Sequence, residues 1–309
     1  MVQRINRTND YAFKRIMGSE EGKEALIGFL NAVLKPGPGK KLTSVQLLDR
    51  ELDPRYLLDR AARLDILAQT AAGALINIEV QIANQYNIDK RTLYYWAGLY
   101  YGQLSSGENF RRLRKTITIN ILGFGWFAGK NKYHHIFQLR EKDTGELLND
   151  DIEIHFLELP KIMELDRRPS DALEEWMLYL NNLEGKEMEE IAMSNPGIKK
   201  ALTIEQIFQK NKRERRVYEL REKAYRDELS ALAGARAEGE ARGEAKGRQE
   251  AICKYLEARF GDASLGLQEK VKQHTEIEKL DKIINKIYTV RSLEEAGAVI
   301  NGTGSAYFD

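Results

Sequence analysis

The stretch that decides the fold runs Arg63-Leu-Asp-Ile-Leu-Ala-Gln69, then Thr70-Ala-Ala-Gly-Ala74, then Leu75-Ile-Asn-Ile-Glu-Val-Gln-Ile82. Two runs of alternating apolar residues flank a short turn containing Gly73, the pattern of a β-hairpin. Centring the turn near Ala72 pairs Leu64 with Val80, Ile66 with Ile78 and Ala68 with Ile76, all on one sheet face. A slip of one residue would scatter those apolar pairs, so the pattern itself constrains the register. The same register sets Asp65 opposite Glu79, and Arg63 opposite Gln81, on the other face.

Like charges directly opposite on a sheet destabilise it. Two carboxylates about 5 Å apart repel by roughly 1–3 kcal/mol at an intermediate dielectric. A divalent cation turns that repulsion into a binding site. Hard carboxylate oxygens suit Mg²⁺, and such an ion polarises a phosphoryl oxygen and acidifies a bound water. The alternative is a solvent-facing pair relieved by Arg63 or Lys90. Pattern alone leaves both open.

Working outward, residues 9–34 read as two short helices. Asn9 or Asp10 caps the first; Ser19 and Glu20 open the second, with Ala25, Leu26, Phe29, Leu30 and Val33 on one stripe. Lys35–Lys41 is a Pro/Gly break. Strand patterns cover 42–51, 63–69, 75–82, 115–123, 132–139 and 150–158, with an aromatic helix over 88–106. A helix follows over 170–191. Residues 203–260 form one long or broken helix rich in Glu, Lys, Arg and Ala, and 264–300 form two or three short helices. The order implies an α/β core, a mixed sheet flanked by helices, with a long helical C-terminal extension.

Composition narrows the function classes. The 309 residues carry 48 Lys+Arg against 47 Asp+Glu, so any attraction to nucleic acid comes from local patches. At 42 % hydrophobic and 31 % charged, the chain is too apolar for disorder and too charged for a membrane protein. No apolar run approaches the roughly 18 residues of a membrane span. The N-terminal residues have no apolar stretch of the secretory kind, and a cytoplasmic location without membrane partners is expected. A single cysteine, Cys253, excludes an intramolecular disulfide framework and a multi-cysteine zinc site, and it reads as a packing residue. His134 and His135 sit on one strand and point to opposite faces, so they share no metal.

Several motifs recur in a known order. They are Asn9-Asp10-Tyr11-Ala12-Phe13-Lys14, Arg63-Leu64-Asp65-Ile66, Ile78-Glu79-Val80-Gln81, and Arg91 followed by Tyr94 and Tyr95. Together they resemble the PD-(D/E)XK nuclease superfamily, and within it the Rpn group of recombination-promoting nucleases, also described as PD-(D/E)XK transposases. The glycine-punctuated tract over 234–249 and the Leu256–Gly261 run resemble that group too.

The resemblance covers most of the chain. It implies a restriction-endonuclease-like fold, with a nuclease-like domain over 1–185, a charged helical extension over 186–260 and a small helical region over 261–309. It further implies an Mg²⁺- or Mn²⁺-dependent endodeoxyribonuclease acting on DNA in recombination or transposition. Asp65, Glu79 and Gln81 would be catalytic. Asp65 and Glu79 would hold the metal with the Val80 backbone carbonyl and Asp10, whose other reading is a helix N-cap.

Gln81 departs from the superfamily pattern, which has lysine there. Glutamine orients a water but supplies no charge, so the cation would come from Lys90 or Arg91.

Arg91 and Tyr95 lie four apart on one helix face and are candidate nucleic-acid contacts, against packing on the sheet. The cluster Arg111, Arg112, Arg114 and Lys115 is a second candidate, able to neutralise phosphates without reading sequence, against a solvated turn. The basic run Lys210–Arg226 reads as a solvated helix face, with tracking of a DNA backbone as the alternative. Gly239, Gly243 and Gly247 recur at period four, which permits either self-association into a homo-oligomer or a flexible helical linker. No helix-turn-helix or zinc-finger pattern is present, so low sequence specificity is expected. Two alternatives remain beside the nuclease: an inactive nuclease fold serving as a DNA-binding accessory, and a self-associating scaffold.

Overall fold

The computed structural model describes residues 5–49, 64–84, 87–129, 132–165 and 167–302. Helix α1 (Asp10–Met17) starts where the Asn9 side chain accepts the N–H groups of Tyr11 and Ala12, and it buries Ala12, Phe13, Ile16 and Met17. Helix α2 (Lys23–Leu34) begins later than Ser19 or Glu20. Ser19 instead closes the intervening turn, its hydroxyl donating to the Arg15 carbonyl and accepting from Gly22 N–H. The expected stripe Ala25, Leu26, Phe29, Leu30 and Val33 is buried.

Strands β1 (Val45–Leu47), β2 (Ile66–Thr70), β3 (Leu75–Gln81), β4 (Thr116–Leu122), β5 (His134–Gln138) and β6 (Ile152–Glu158) form a sheet in the order β1-β2-β3-β4-β6-β5. The β2–β3 hairpin is antiparallel with Ile66 opposite Ile78 and Ala68 opposite Ile76, the expected register. Gly73 supplies the turn with φ +87°, a conformation a side chain would strain. Strand β3 pairs parallel with β4, and β4 parallel with β6; β1 and β5 are antiparallel edges. The parallel β3–β4 connection carries helix α3 (Ile88–Tyr101), as such a crossover requires.

One expected pair is corrected. The ladder starts at Ile66, so Leu64 does not pair with Val80; it is buried with Leu67 and Leu99. Arg63, expected opposite Gln81, lies outside the described residues.

The face bearing Ile66, Ala68, Ile76, Ile78, Ile117, Ile119 and Ile121 shares one core with the helices packed on it. These are α1, α2, α4 (Leu159–Ile162), α5 (Ala172–Leu180), α6 (Lys186–Ser194) and α7 (Pro196–Lys210). Helix α3 belongs to smaller clusters, Leu99 with Leu64 and Leu67, and Ile88 with Leu122, Ile154 and Phe156. The helix expected over 170–191 is broken between α5 and α6, where Asn182 and Gly185 take φ +63° and +76°.

The chain divides into two compact units, Met1–Ala224 and Tyr225–Asp309. Residues 186–224 therefore belong with the first unit and not with the extension. The reason is packing: Ile191, Ile198, Ala201, Ile204, Phe208 and Tyr218 complete the first core. Arg7 and Glu205 add a buried ion pair at 2.8 Å. In the second unit, the end of α8 (Lys212–Phe260) shares a core with α9 (Leu265–Gln273), α10 (Ile277–Ile287) and α11 (Leu293–Asn301). Ile252, Leu256, Val271, Leu280, Ile283 and Ile300 fill it. Among the described residues, no helix is long and apolar enough to cross a membrane.

Candidate active site

Asn77, Glu79 and Gln81 alternate along β3 and so share one side of the strand. Glu79, the middle residue of that row, is buried, 3 % exposed. Arg91, in the first turn of α3, donates to Gln81 Oε1 at 3.0 Å and pairs with Glu79 Oε2 at 3.5 Å. Its guanidinium lies 5.4 Å from the Tyr95 ring centre, so the two residues do share a helix face. Trp96 and Tyr100 serve packing. Their rings stack, the indole N–H donates to the Thr116 carbonyl, and the Tyr100 hydroxyl donates to Asp151.

Asp65 sits one residue before the β2 ladder begins. Its Oδ2 accepts the Val80 N–H at 2.9 Å, and its own N–H points to Glu79 Oε1 at 3.4 Å. The carboxylate thus anchors the strand end instead of simply standing across from Glu79 on the sheet. Oδ1 of Asp65 pairs with Lys14 Nζ at 2.9 Å, and the same ammonium pairs with Asp10. Lys14 had no assigned role in the motif reading. Its signal was Asp10 and Lys14 at i,i+4 on one helix face.

The electrostatics follow from burial. Desolvation, then the charge of Asp65, pushes Glu79 up to about 8, with partial relief from Arg91. Burial opposes the charge on Lys14, but Asp65 and Asp10 outweigh it and raise its pKa. The donor chemistry fits a hard divalent cation. Asp65, Glu79 and the Val80 carbonyl offer oxygen only, Mg²⁺ needs just one or two protein carboxylates, and an ammonium is already lodged on Asp65. Among the described residues, no group of three or more His, Cys, Asp or Glu side chains is arranged to hold a metal. Asp10 reaches Asp65 through Lys14.

The basic loop lies elsewhere. Residues Phe110–Arg112 form a 3-10 turn, and the Lys115 carbonyl accepts the Leu75 N–H at the opening of β3. Gln81 is six residues further along that strand, about 20 Å at the rise of a β-strand. Arg112 pairs with Glu108, Lys115 with Glu153, and the Arg114 side chain runs past Gly73. Arg111 is exposed. The structure does not bring these four residues together with Asp65 and Glu79.

Beside Glu79, the motif reading also passed over a buried polar row. Asn77 pairs in register with Thr118, and Glu79 with Asn120. Asn120 donates to Thr92 and to the His155 carbonyl, and the buried Asn77 amide lies beside the Glu79 carboxylate, whose charged form it favours. The alternation Asn77-x-Glu79-x-Gln81 was the available signal.

His134 and His135 do take opposite faces. His134 meets His155 at 2.8 Å, and His135 meets Glu158 at 3.2 Å. Cys253 is half-buried, its thiol pushed up by burial, and it points to the Gln268 carbonyl as a packing residue.

The family model described as PD-(D/E)XK nuclease family transposase matches residues 7–235, and the chain belongs to that family. No curated protein and no solved structure matches the chain.

Proposed function

We propose that this PD-(D/E)XK nuclease family transposase is a divalent-metal-dependent endonuclease that hydrolyses DNA phosphodiester bonds with low sequence specificity. The observation that carries the reading is the meeting of Asp65 and Glu79 at the ends of β2 and β3, with Arg91 beside them. Mg²⁺ or Mn²⁺, held by Asp65, Glu79 and the Val80 carbonyl, would polarise the phosphoryl oxygen and acidify the attacking water.

The chain's own groups do the rest. Gln81 Oε1 is taken by Arg91, which fixes the amide and leaves Nε2 to donate to a water or a phosphate oxygen. Arg91 brings positive charge to a half-buried site, where it counts for more than in water. Tyr95 backs the guanidinium. The loop of Arg111, Arg112, Arg114 and Lys115 is a separate phosphate contact, about 20 Å from Gln81 along the strand direction. Self-association belongs to residues 225–309, where Gly239, Gly243 and Gly247 face open space.

The test is nicking of supercoiled plasmid with Mg²⁺, with Mn²⁺ and with a chelator. Metal-dependent nicking that Glu79→Gln removes is the expected result. Salt-dependent DNA binding without cleavage would instead support the accessory reading. That reading has one observation in its favour: both Asp65 oxygens already have protein partners.

A further inference from the structure

Position 81 is an amide, so β3 brings no positive charge of its own to the site. Two cations arrive from helices. Arg91 comes from α3 and sits on Gln81 and Glu79. Lys14 comes from α1 and sits on Asp65 Oδ1 at 2.9 Å, its side chain 20 % exposed. The backbone that carries Lys14 is fixed. Phe13, Ile16 and Met17 are fully buried on either side of it, and Arg15 is tied to Glu214 and Glu21. The ammonium at the end of that flexible stem is a point charge with three donors. Asp10 and Asp65 use two of them.

The same geometry sets up a competition. Oδ2 of Asp65 is committed to the Val80 N–H. A divalent ion held by Asp65 would therefore compete for Oδ1, where Lys14 already stands. Two cations on one oxygen repel, so Lys14 would yield to such an ion. It would remain within a side chain's reach of Asp65, charged and with a donor to spare.

We propose that Lys14 is a further catalytic residue, an ammonium supplied by α1 that occupies Asp65 until a divalent cation binds and then carries the charge that Gln81 cannot bring to the phosphate. The inference rests on the nuclease reading above. It differs from a purely structural role, in which Lys14 only ties α1 to the sheet.

The test compares full-length wild type with Lys14→Met and Lys14→Arg, by calorimetric titration with Mn²⁺ and by plasmid cleavage at saturating Mn²⁺. Lys14→Met should bind Mn²⁺ more tightly, because the competing cation is gone. It should cleave about 10²-fold more slowly, the scale of losing one group that stabilises transition-state charge. Lys14→Arg keeps the charge and should retain most of the rate. Tighter binding with slower cleavage is a combination that a structural salt bridge does not produce. Lys14→Met with unchanged or weaker Mn²⁺ binding, or with the wild-type rate at saturation, would overturn the proposal. If the Met variant does not fold, Lys14→Gln carries the same comparison. A wild type that neither binds Mn²⁺ nor cleaves removes the nuclease reading itself. A wild type that does both, beside an indifferent Lys14→Met, removes only the role of Lys14.

Discussion

Asp65→Asn and Asp65→Ala should both abolish metal-dependent cleavage yet differ in stability. The Asn side chain can still accept the Val80 N–H, whereas Ala leaves that donor unpaired, which costs about 1–3 kcal/mol. Relief of the repulsion on Glu79 offsets only part of this, and Lys14 is left with Asp10. Thermal melting should therefore place Asn near wild type and Ala below it. Cleavage surviving in Asp65→Asn would take Asp65 out of the metal site.

A second residue governs acid stability. Burial, and then the neighbouring His155, lower the His134 pKa from 6.5 to about 4. Between those values the unfolded chain binds a proton that the folded chain refuses. The contribution is fully present above pH 6.5 and is lost as pH falls towards 4. Glu153 lies in a different window. Burial works to raise its pKa, but His155 and Lys115 hold it near 2, so its contribution fades only below its ordinary pKa of 4.5. His134→Gln should flatten the pH–stability curve between 6.5 and 4, as followed by denaturant titration. An unchanged slope there would contradict the assignment.

At the scale of elements, the 3-10 turn Phe110–Arg112 shows how a basic run is placed. Phe110 is 80 % exposed, Arg111 is exposed beside it, and Arg112 pairs with Glu108 on its own loop. Changing Arg111, Arg112 and Arg114 to Gln should weaken binding to all DNA sequences about equally. The salt dependence should flatten by up to about 0.9 per lost phosphate contact. Cleavage at saturating DNA should stay unchanged, because the loop lies at the opposite end of β3 from Gln81. An unchanged salt slope returns the loop to a solvated turn. Helix α8 is the contrasting element. Residues 230–244 are exposed on every side, and pairs such as Arg236–Glu240 and Arg242–Glu238 run along it. Such a polar helix holds together locally and asks nothing of a core.

For the whole molecule, the division after Ala224 predicts which truncations fold. A chain ending at Gly185 loses Ile198, Ala201, Ile204 and Phe208, all fully buried. At roughly 1.5–3 kcal/mol for a large apolar side chain, that loss rivals the 5–15 kcal/mol that stabilises a typical domain. Residues 1–185 should therefore lack a cooperative melt by circular dichroism, while 1–224 should melt cooperatively and keep metal-dependent nicking. Light scattering of 1–224 against the full chain tests self-association. Monomeric masses for both would remove the glycine series as an oligomer surface.

The hairpin register is written in the local pattern of the chain. A period of two with one buried face leaves a single pairing of Ile66 with Ile78 and Ala68 with Ile76. The opposite faces of His134 and His135 are equally local, whereas the choice of Asn9 over Asp10 as the cap needed the folded chain. Tertiary packing settles where the ladder ends, and so that Asp65 turns to the Val80 N–H while Leu64 packs with Leu99. It alone brought Lys14 to Asp65, since nothing local in α1 encodes a partner on a strand. The boundary after Ala224 was hidden because α7 sits next to a charged tract, and its burial comes from contact with distant helices. The basic loop was hidden by strand polarity. A parallel β3–β4 pair sets Thr116 beside Leu75, at the far end from Gln81, and parallel pairing is a property of the whole sheet that neither strand's own pattern carries.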